Sequence, residues 1–163
     1  MSNTPLPLDT GVLITLAAAT GSWRVLDALG CPIVVTQTVM DEIRNGPQGS
    51  PGADTPLADC MSVWNEELEI SPWLLGVLDQ GEASVIALAL AQRWPEVAID
   101  ESVGRSVAKT SRLRLTGSLG LLIRAKRKGY PVTIAEAIAR IRTAGIWIGA
   151  DVEQAALRLA GEV

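Results

Sequence analysis

Val97-Ala98-Ile99-Asp100-Glu101 is the stretch that decides how this chain folds. Three apolar residues follow Pro95 and Glu96 and run directly into two adjacent carboxylates. The apolar part reads as a short buried strand. Asp100 and Glu101 cannot both stay in an apolar interior without a counter-charge, so the strand ends there, at the rim of a site. The charge changes sign at the same point. Residues 1–101 hold 14 Asp or Glu and 3 Lys or Arg, whereas residues 102–130 hold 8 Lys or Arg and no acid. An acidic half that gathers carboxylates and a basic segment that meets an anion account for this pattern. A solvated charge asymmetry without a site is the competing explanation.

Composition narrows the chemistry. At 163 residues the chain fits one domain, with a core over about 6–130 and a helical extension over about 131–163. No apolar run is long enough to cross a bilayer, and Met1-Ser2-Asn3-Thr4-Pro5 lacks the basic start of a signal peptide, so a soluble cytoplasmic protein is expected. Cys31 and Cys60 stand at no metal-ligand spacing and read as reduced packing residues. The chain has no histidine. That removes Ser-His-Asp and Cys-His catalysis, histidine zinc sites and the usual neutral-pH base. Hydrolysis here must run on carboxylates, lysine, hydroxyls or a metal, and carboxylate oxygens favour Mg²⁺ or Mn²⁺. A net charge of -4 argues against binding nucleic acid through the whole-molecule field but leaves room for a local basic groove.

Outward from residues 97–101, strands alternate with helices. Leu6-Pro7-Leu8 reads as a first strand ending at Asp9, with Pro7 awkward for any central strand. A helix over 11–19 closes at Thr20-Gly21, and a second helical turn over 23–29 stops at Gly30. Residues 32–36 form a β-branched strand, after which Thr38 caps a short helix over 39–44 that carries Glu42. Residues 48–59 read as a mobile loop and 68–70 as a weak third strand. Asp79-Gln80-Gly81-Glu82 opens a strong helix with an apolar stripe of Ala83, Ile86, Ala87, Leu90 and Ala91, and Glu82 sits where the helix dipole favours an anion. Ser102 caps a helix over 103–113, residues 114–116 form a fifth strand, and Ser118 caps a helix over 119–128. Thr133 to Glu136 spells a capping box for a helix to Thr143, and Asp151 caps a last helix over 152–160. Trp23, Trp94 and Trp147 sit in or beside apolar stretches and are expected in the core, while Trp64 and Trp73 flank loops. No connection reads as a tight hairpin. The expected fold is therefore an α/β/α sandwich around a mostly parallel sheet of about five strands, with ligand sites at the carboxyl ends of the strands.

Asp9, Glu42, Glu82 and Asp100, with Glu101 beside the last, are spread along the chain and can meet only through the fold. A like-charged pair at about 4 Å costs on the order of 4 kcal/mol at an effective dielectric near 20. A divalent cation reverses that penalty and supplies hydrolytic chemistry without histidine.

Five segments then fall in a familiar order: Leu8-Asp9-Thr10-Gly11-Val12-Leu13-Ile14, Met40-Asp41-Glu42-Ile43, Leu78-Asp79-Gln80-Gly81-Glu82-Ala83, Ile99-Asp100-Glu101 and Thr116-Gly117-Ser118-Leu119-Gly120-Leu121-Leu122. Over about residues 8–128 the chain resembles PIN-domain proteins, most closely the VapC-like toxin branch. The resemblance implies Mg²⁺- or Mn²⁺-dependent cleavage of RNA. It matches Asp9, Glu42, Glu82 and Asp100 to the family's acids, Glu101 to a frequent further acid, and Thr10 and Ser118 to small hydroxyls near the metal. Two departures are Pro7 in the first strand and Glu82 where aspartate is commoner, so that Glu82 meets the ion either directly or through water.

On this reading Asp9, Glu82 and Asp100, with Glu101, are the metal set, and Glu42 and Glu101 orient the attacking water or a second metal. Basic residues after Glu101 hold flanking phosphates, with Arg105, Lys109 and Arg112 spaced i, i+4, i+7 on one helix face and Lys126 further on. Expected partners are RNA, an antitoxin protein and a second copy of the chain in a homodimer or higher oligomer, with no membrane. Two alternatives stay open. One is a phosphotransfer domain with Asp9 as nucleophile, although the fifth strand lacks the lysine that such a site needs. The other is a catalytically silent module that binds RNA or an antitoxin.

Overall fold

The computed structural model describes residues 2–163. Its first strand is short for a reason visible in the sequence. Strand β1, Leu6–Pro7, lies between β2, Ile33–Thr36, and β4, Glu96–Ala98, and pairs parallel with β2. Amides on one side of β1 serve β2: Leu6 N donates to Pro32 O at 2.9 Å and Leu8 N to Val34 O at 3.1 Å. The next amide that faces β4 belongs to Asp9, which donates to Ala98 O at 3.0 Å. Between them stands Pro7, which has no N–H to give. The β1–β4 seam is thus reduced to a single bridge, Leu8 with Ala98.

That seam corrects the expectation of one five-stranded sheet. The strands form a three-stranded ladder of β1, β2 and β3 (Met61–Trp64) and a two-stranded ladder of β4 and β5 (Arg114–Thr116), joined at Leu8 and Ala98, and every pairing is parallel. β3 is Met61–Trp64, in register with all four residues of β2, and the expected strand at 68–70 does not form. Ser62 is exposed and Val63 and Trp64 are half-buried, so the apolar signal of this edge strand is weak. β5, Arg114–Thr116, pairs with β4 over its whole length.

Helices cover both faces, as expected of parallel strands. On one face α4, Gln80–Gln92, packs over β1, β2 and β4, with α5, Ser102–Thr110, beside it on β5. On the other, α1, Thr10–Thr20, packs against α6, Ser118–Arg127, and α7, Ile134–Thr143, while α8, Ala150–Ala160, lies on α6 and α7. The contiguous apolar core runs from Leu6 to Ala156. Trp23 is fully buried and donates from Nε1 to Leu13 O at 2.9 Å. The 3-10 turn Arg24–Leu29 closes on Gly30, and α1 closes on Gly21. The two shortest helices are α2, Gln37–Arg44, and α3, Pro72–Val77.

Several caps differ from the sequence expectation. β2 passes straight into α2, so Thr36 rather than Thr38 accepts from Val39 N at 3.1 Å. Glu101, not Ser102, caps α5, and Gly117, not Ser118, precedes α6. α8 starts after Gly149, one residue ahead of Ala150, so Asp151 lies inside its first turn. Thr133 makes no side-chain cap on α7; the Glu162 carboxylate accepts from Ile134 N at 2.6 Å and Ala135 N at 2.8 Å instead. The loop at 48–59 is tied down by Arg44, whose guanidinium donates to the carbonyls of Gly52, Ala53 and Thr55. Trp94 stacks edge-on against Trp64 with ring centroids 6.0 Å apart. Trp147 is 87 % exposed, against the expectation of a core residue. Its ring lies over Gly149, where a Cβ would stand 3.1 Å from it, and Ile146 and Ile148 pack on the core in its place. Among the described residues no helix is long and apolar enough to cross a membrane.

Candidate metal centre

The parallel strands bring Asp9 and Asp100 to one sheet edge, because Leu8 is bridged to Ala98 and each acid lies just past that point. α2 and α4 start at the same edge, directly after β2 and after Asp79 respectively. Carboxylates from four separate segments are collected in this way.

The tightest group is Asp9, Glu42 and Asp79. One carboxylate oxygen from each lies within 4.8 Å of the other two. Asp9 stands in the N-cap position of α1 yet makes no side-chain cap, and it is only 5 % exposed. Its Oδ1 is buried with no hydrogen-bond partner. Burial pushes the Asp9 carboxyl up to about 7, against the pull of the Thr10 amide, and Asp79, Glu82 and Glu42 raise it further.

Glu42 is held from two sides. Its Oε1 accepts from Gly81 N at 3.0 Å, and its Oε2 accepts from the Thr10 hydroxyl. Gly81 leaves room for this carboxylate, since a Cβ there would lie 2.9 Å from Glu42 Cδ and the Glu42 side chain would have to shift. Asp79 caps α4 by accepting from Glu82 N at 2.8 Å, and Glu82 returns a longer bond to Asp79 N at 3.4 Å. This capping box fixes both acids at the start of the helix.

Glu82 is buried beside the triad, with Oε1 3.0 Å from where a Cβ on Gly104 would stand. Burial pushes Glu82 up to about 7, and the Asp79 and Glu101 carboxylates add to the shift. Glu101 moves the other way: the Gly104 amide, followed by that of Val103, holds it below the usual carboxylate range. Its Oε2 accepts from Val103 N at 2.8 Å and Gly104 N at 3.0 Å. Asp100 turns toward α6, accepting from Ser118 N at 2.8 Å where Gly117 leaves room for its Oδ1. The structure therefore joins Asp9 to Glu42, adds Asp79, keeps Glu82 and Glu101 alongside, and engages Asp100 with the Ser118 backbone.

Asp79 was legible as a helix cap but not as a member of the acidic group. Its place one residue before α4 is the only sequence signal, because such a residue faces the same edge as Asp9.

The basic residues are arranged differently from the expected stripe. α5 ends at Thr110, and Arg112 lies beyond it with φ +62°, so Arg105, Lys109 and Arg112 do not share one helix face. Arg105 donates to Ile99 O at 2.8 Å and Thr116 O at 3.4 Å. Lys126 pairs with Glu162 at 2.6 Å and Arg124 with Glu96 at 3.1 Å. Lys109 and Arg112 are exposed and have no side-chain hydrogen bond or ion pair among the described residues. Cys31 and Cys60 are free thiols; burial raises both, Cys60 to about 12, and keeps them protonated.

Parallel strands between two helical layers, with acids gathered at their carboxyl edge, define an α/β protein of acidic-site type. A family model described as a PIN domain (DUF3368) matches residues 8–162, and the chain belongs to that family. PIN domains are generally nucleases that use divalent metals, and the acidic triad gives this chain a possible metal site. No curated protein and no solved structure matches the chain.

Proposed function

We propose that the protein is a Mg²⁺- or Mn²⁺-dependent endoribonuclease, acting as the toxin of a toxin–antitoxin pair. The observation that carries this reading is the buried, unpartnered Asp9 Oδ1, which belongs to a carboxylate grouped with that of Glu42. A buried carboxylate oxygen without a donor is costly unless something positive meets it. The donors available are carboxylate oxygens alone, which suits a hard cation and not a soft one. The residues present thus fit a divalent ion, held by Asp9 and Glu42 with Glu82, Asp100 and Glu101 around it.

A cation bound there supplies positive charge against the scissile phosphate. The protein's own groups do the rest. The Gly81 amide and the Thr10 hydroxyl fix the Glu42 carboxylate, which orients the attacking water. Without an ion Glu82 is raised to about 7 while Glu101 stays charged beside it; a cation bound there would draw Glu82 to its charged form as well. Ser118 presents its backbone N–H to Asp100 and so ties that acid to the start of α6. Lys109 and Arg112 are free to meet flanking phosphates, whereas Arg105 and Lys126 are engaged within the molecule. The family's fold and acidic cluster support nucleic acid as partner. The antitoxin, a homodimer and a cytoplasmic setting belong to the same reading.

The test is cleavage of single-stranded RNA by wild type and Asp9→Asn, with Mn²⁺ and with a chelator. Loss of cleavage on chelation and in Asp9→Asn, with the circular dichroism spectrum unchanged, supports the nuclease. Cleavage by Asp9→Asn at the wild-type rate, or cleavage indifferent to chelation, overturns it.

A further inference from the structure

We infer that Asp79 is a direct ligand of the metal ion held by Asp9 and Glu42, in addition to capping helix α4. The inference rests on the metal-dependent reading above and adds a ligand that the sequence reading assigned to no role in the site.

Capping engages only one Asp79 oxygen: Oδ1 accepts from Glu82 N at 2.8 Å. Oδ2 has no hydrogen-bond donor among the described residues. An Asp79 oxygen lies within 4.8 Å of oxygens from both Asp9 and Glu42, and no other acid completes such a triad among the described residues. Asp79 is itself exposed, but Asp9, a member of the same group, is only 5 % exposed and its Oδ1 is buried without a partner. An orphaned oxygen on a buried member of the group points to a ligand rather than to a chance gathering of surface acids.

The two duties of Asp79 are compatible because a carboxylate has two oxygens and about four acceptor positions. They also couple the ion to α4. The oxygen that caps Glu82 N and the oxygen offered to the ion belong to one rigid group. An ion at this point therefore orders the first turn of α4, including Gly81, whose amide holds Glu42.

Titration calorimetry with MnCl2 tests the inference on wild type, Asp79→Asn, Asp41→Asn and Asp9→Asn. Asparagine caps a helix about as well as aspartate, so Asp79→Asn keeps the cap and loses the charged ligand. Asp41 is exposed, one residue from Glu42, and its replacement removes the same charge without touching the triad. The expected result is a loss of Mn²⁺ affinity of at least about tenfold in Asp79→Asn, with Asp41→Asn within about threefold of wild type. Asp79→Asn binding Mn²⁺ as well as Asp41→Asn overturns the inference. If Asp9→Asn has meanwhile lost binding, the nuclease reading stands without Asp79; if Asp9→Asn binds as wild type does, that reading itself falls. Should Asp79→Asn not fold, Mn²⁺ broadening of carboxylate carbon resonances in the wild type decides. Asp79 broadened at substoichiometric Mn²⁺ before Asp41 supports the inference, and equal or later broadening of Asp79 overturns it.

Discussion

Asp9 carries an electrostatic cost that the metal-free protein must bear. Its folded value of about 7 lies above the ordinary aspartate value of 3.8, so between the two the native state holds a proton that the unfolded chain has released. Between those limits stability falls as pH rises, by about 1.4 kcal/mol per pH unit for one such group, and levels off above about 7. Glu82 acts in the same direction. Urea denaturation in chelator is expected to give a lower midpoint at pH 7.5 than at pH 5, and Asp9→Asn should flatten that slope. A midpoint rising with pH in the wild type contradicts the raised values. A second residue-scale expectation concerns Gly81. Gly81→Ala places a Cβ against Glu42 Cδ at 2.9 Å, so the carboxylate must leave its bond to the Gly81 amide. Mn²⁺ affinity should fall about tenfold. Stability should change by less than about 2 kcal/mol, since alanine gains about 1 kcal/mol of helix propensity against the strain.

At the scale of elements, the C-terminal end is fastened by one carboxylate. Glu162 accepts from Ile134 N, Ala135 N and Lys126 Nζ, tying α7 and α6 to the segment after α8. Glu162→Ala is expected to cost about 2–3 kcal/mol in urea denaturation, with Lys126→Ala costing less and a double-mutant cycle showing coupling. Additive effects within error contradict a shared role. This fastening was not legible in the sequence: Thr133 and Glu136 spell a local capping box, but a charged group 28 residues away serves Ile134 N. The same limit explains Ser102 and Ser118. Side chains that look like caps lost the position to Glu101 and Gly117, because the strand ends before them set where each helix could begin. Strong periodicity was more dependable. Helix α4 and the β-branched run of β2 formed close to where their patterns place them, but the stripe itself did not: α4 is buried all round from Gly81 to Ala89, and Leu90 and Ala91 are exposed.

For the whole molecule, the alternation of strands and helices was readable, but the division of the sheet was not. A proline in a buried strand signals trouble without saying which neighbour loses its bond; here β4 loses it, and among the described residues the two ladders meet in a single backbone bridge, Leu8 with Ala98. Parallel topology brings Asp9 and Asp100 to one edge, whereas Glu42, inside α2, reaches Asp9 through the placement of its side chain. The membership of Asp79 depends on side-chain placement, which no spacing rule gives. Charge distribution makes a further expectation. Lys109→Ala and Arg112→Ala should weaken RNA binding across sequences, each reducing the salt slope by about 0.7 as a phosphate contact is lost. Arg105→Ala and Lys126→Ala should mainly lower stability, and an unchanged salt slope in both Lys109→Ala and Arg112→Ala would remove them from the RNA path. The central claim is that the grouped carboxylates hold a hard cation. Anomalous diffraction from crystals soaked in Mn²⁺ tests it most directly. The account predicts a peak about 2 Å from oxygens of Asp9 and Glu42. Saturating Mn²⁺ with no peak at Asp9, or with its only peak away from these carboxylates, would contradict it.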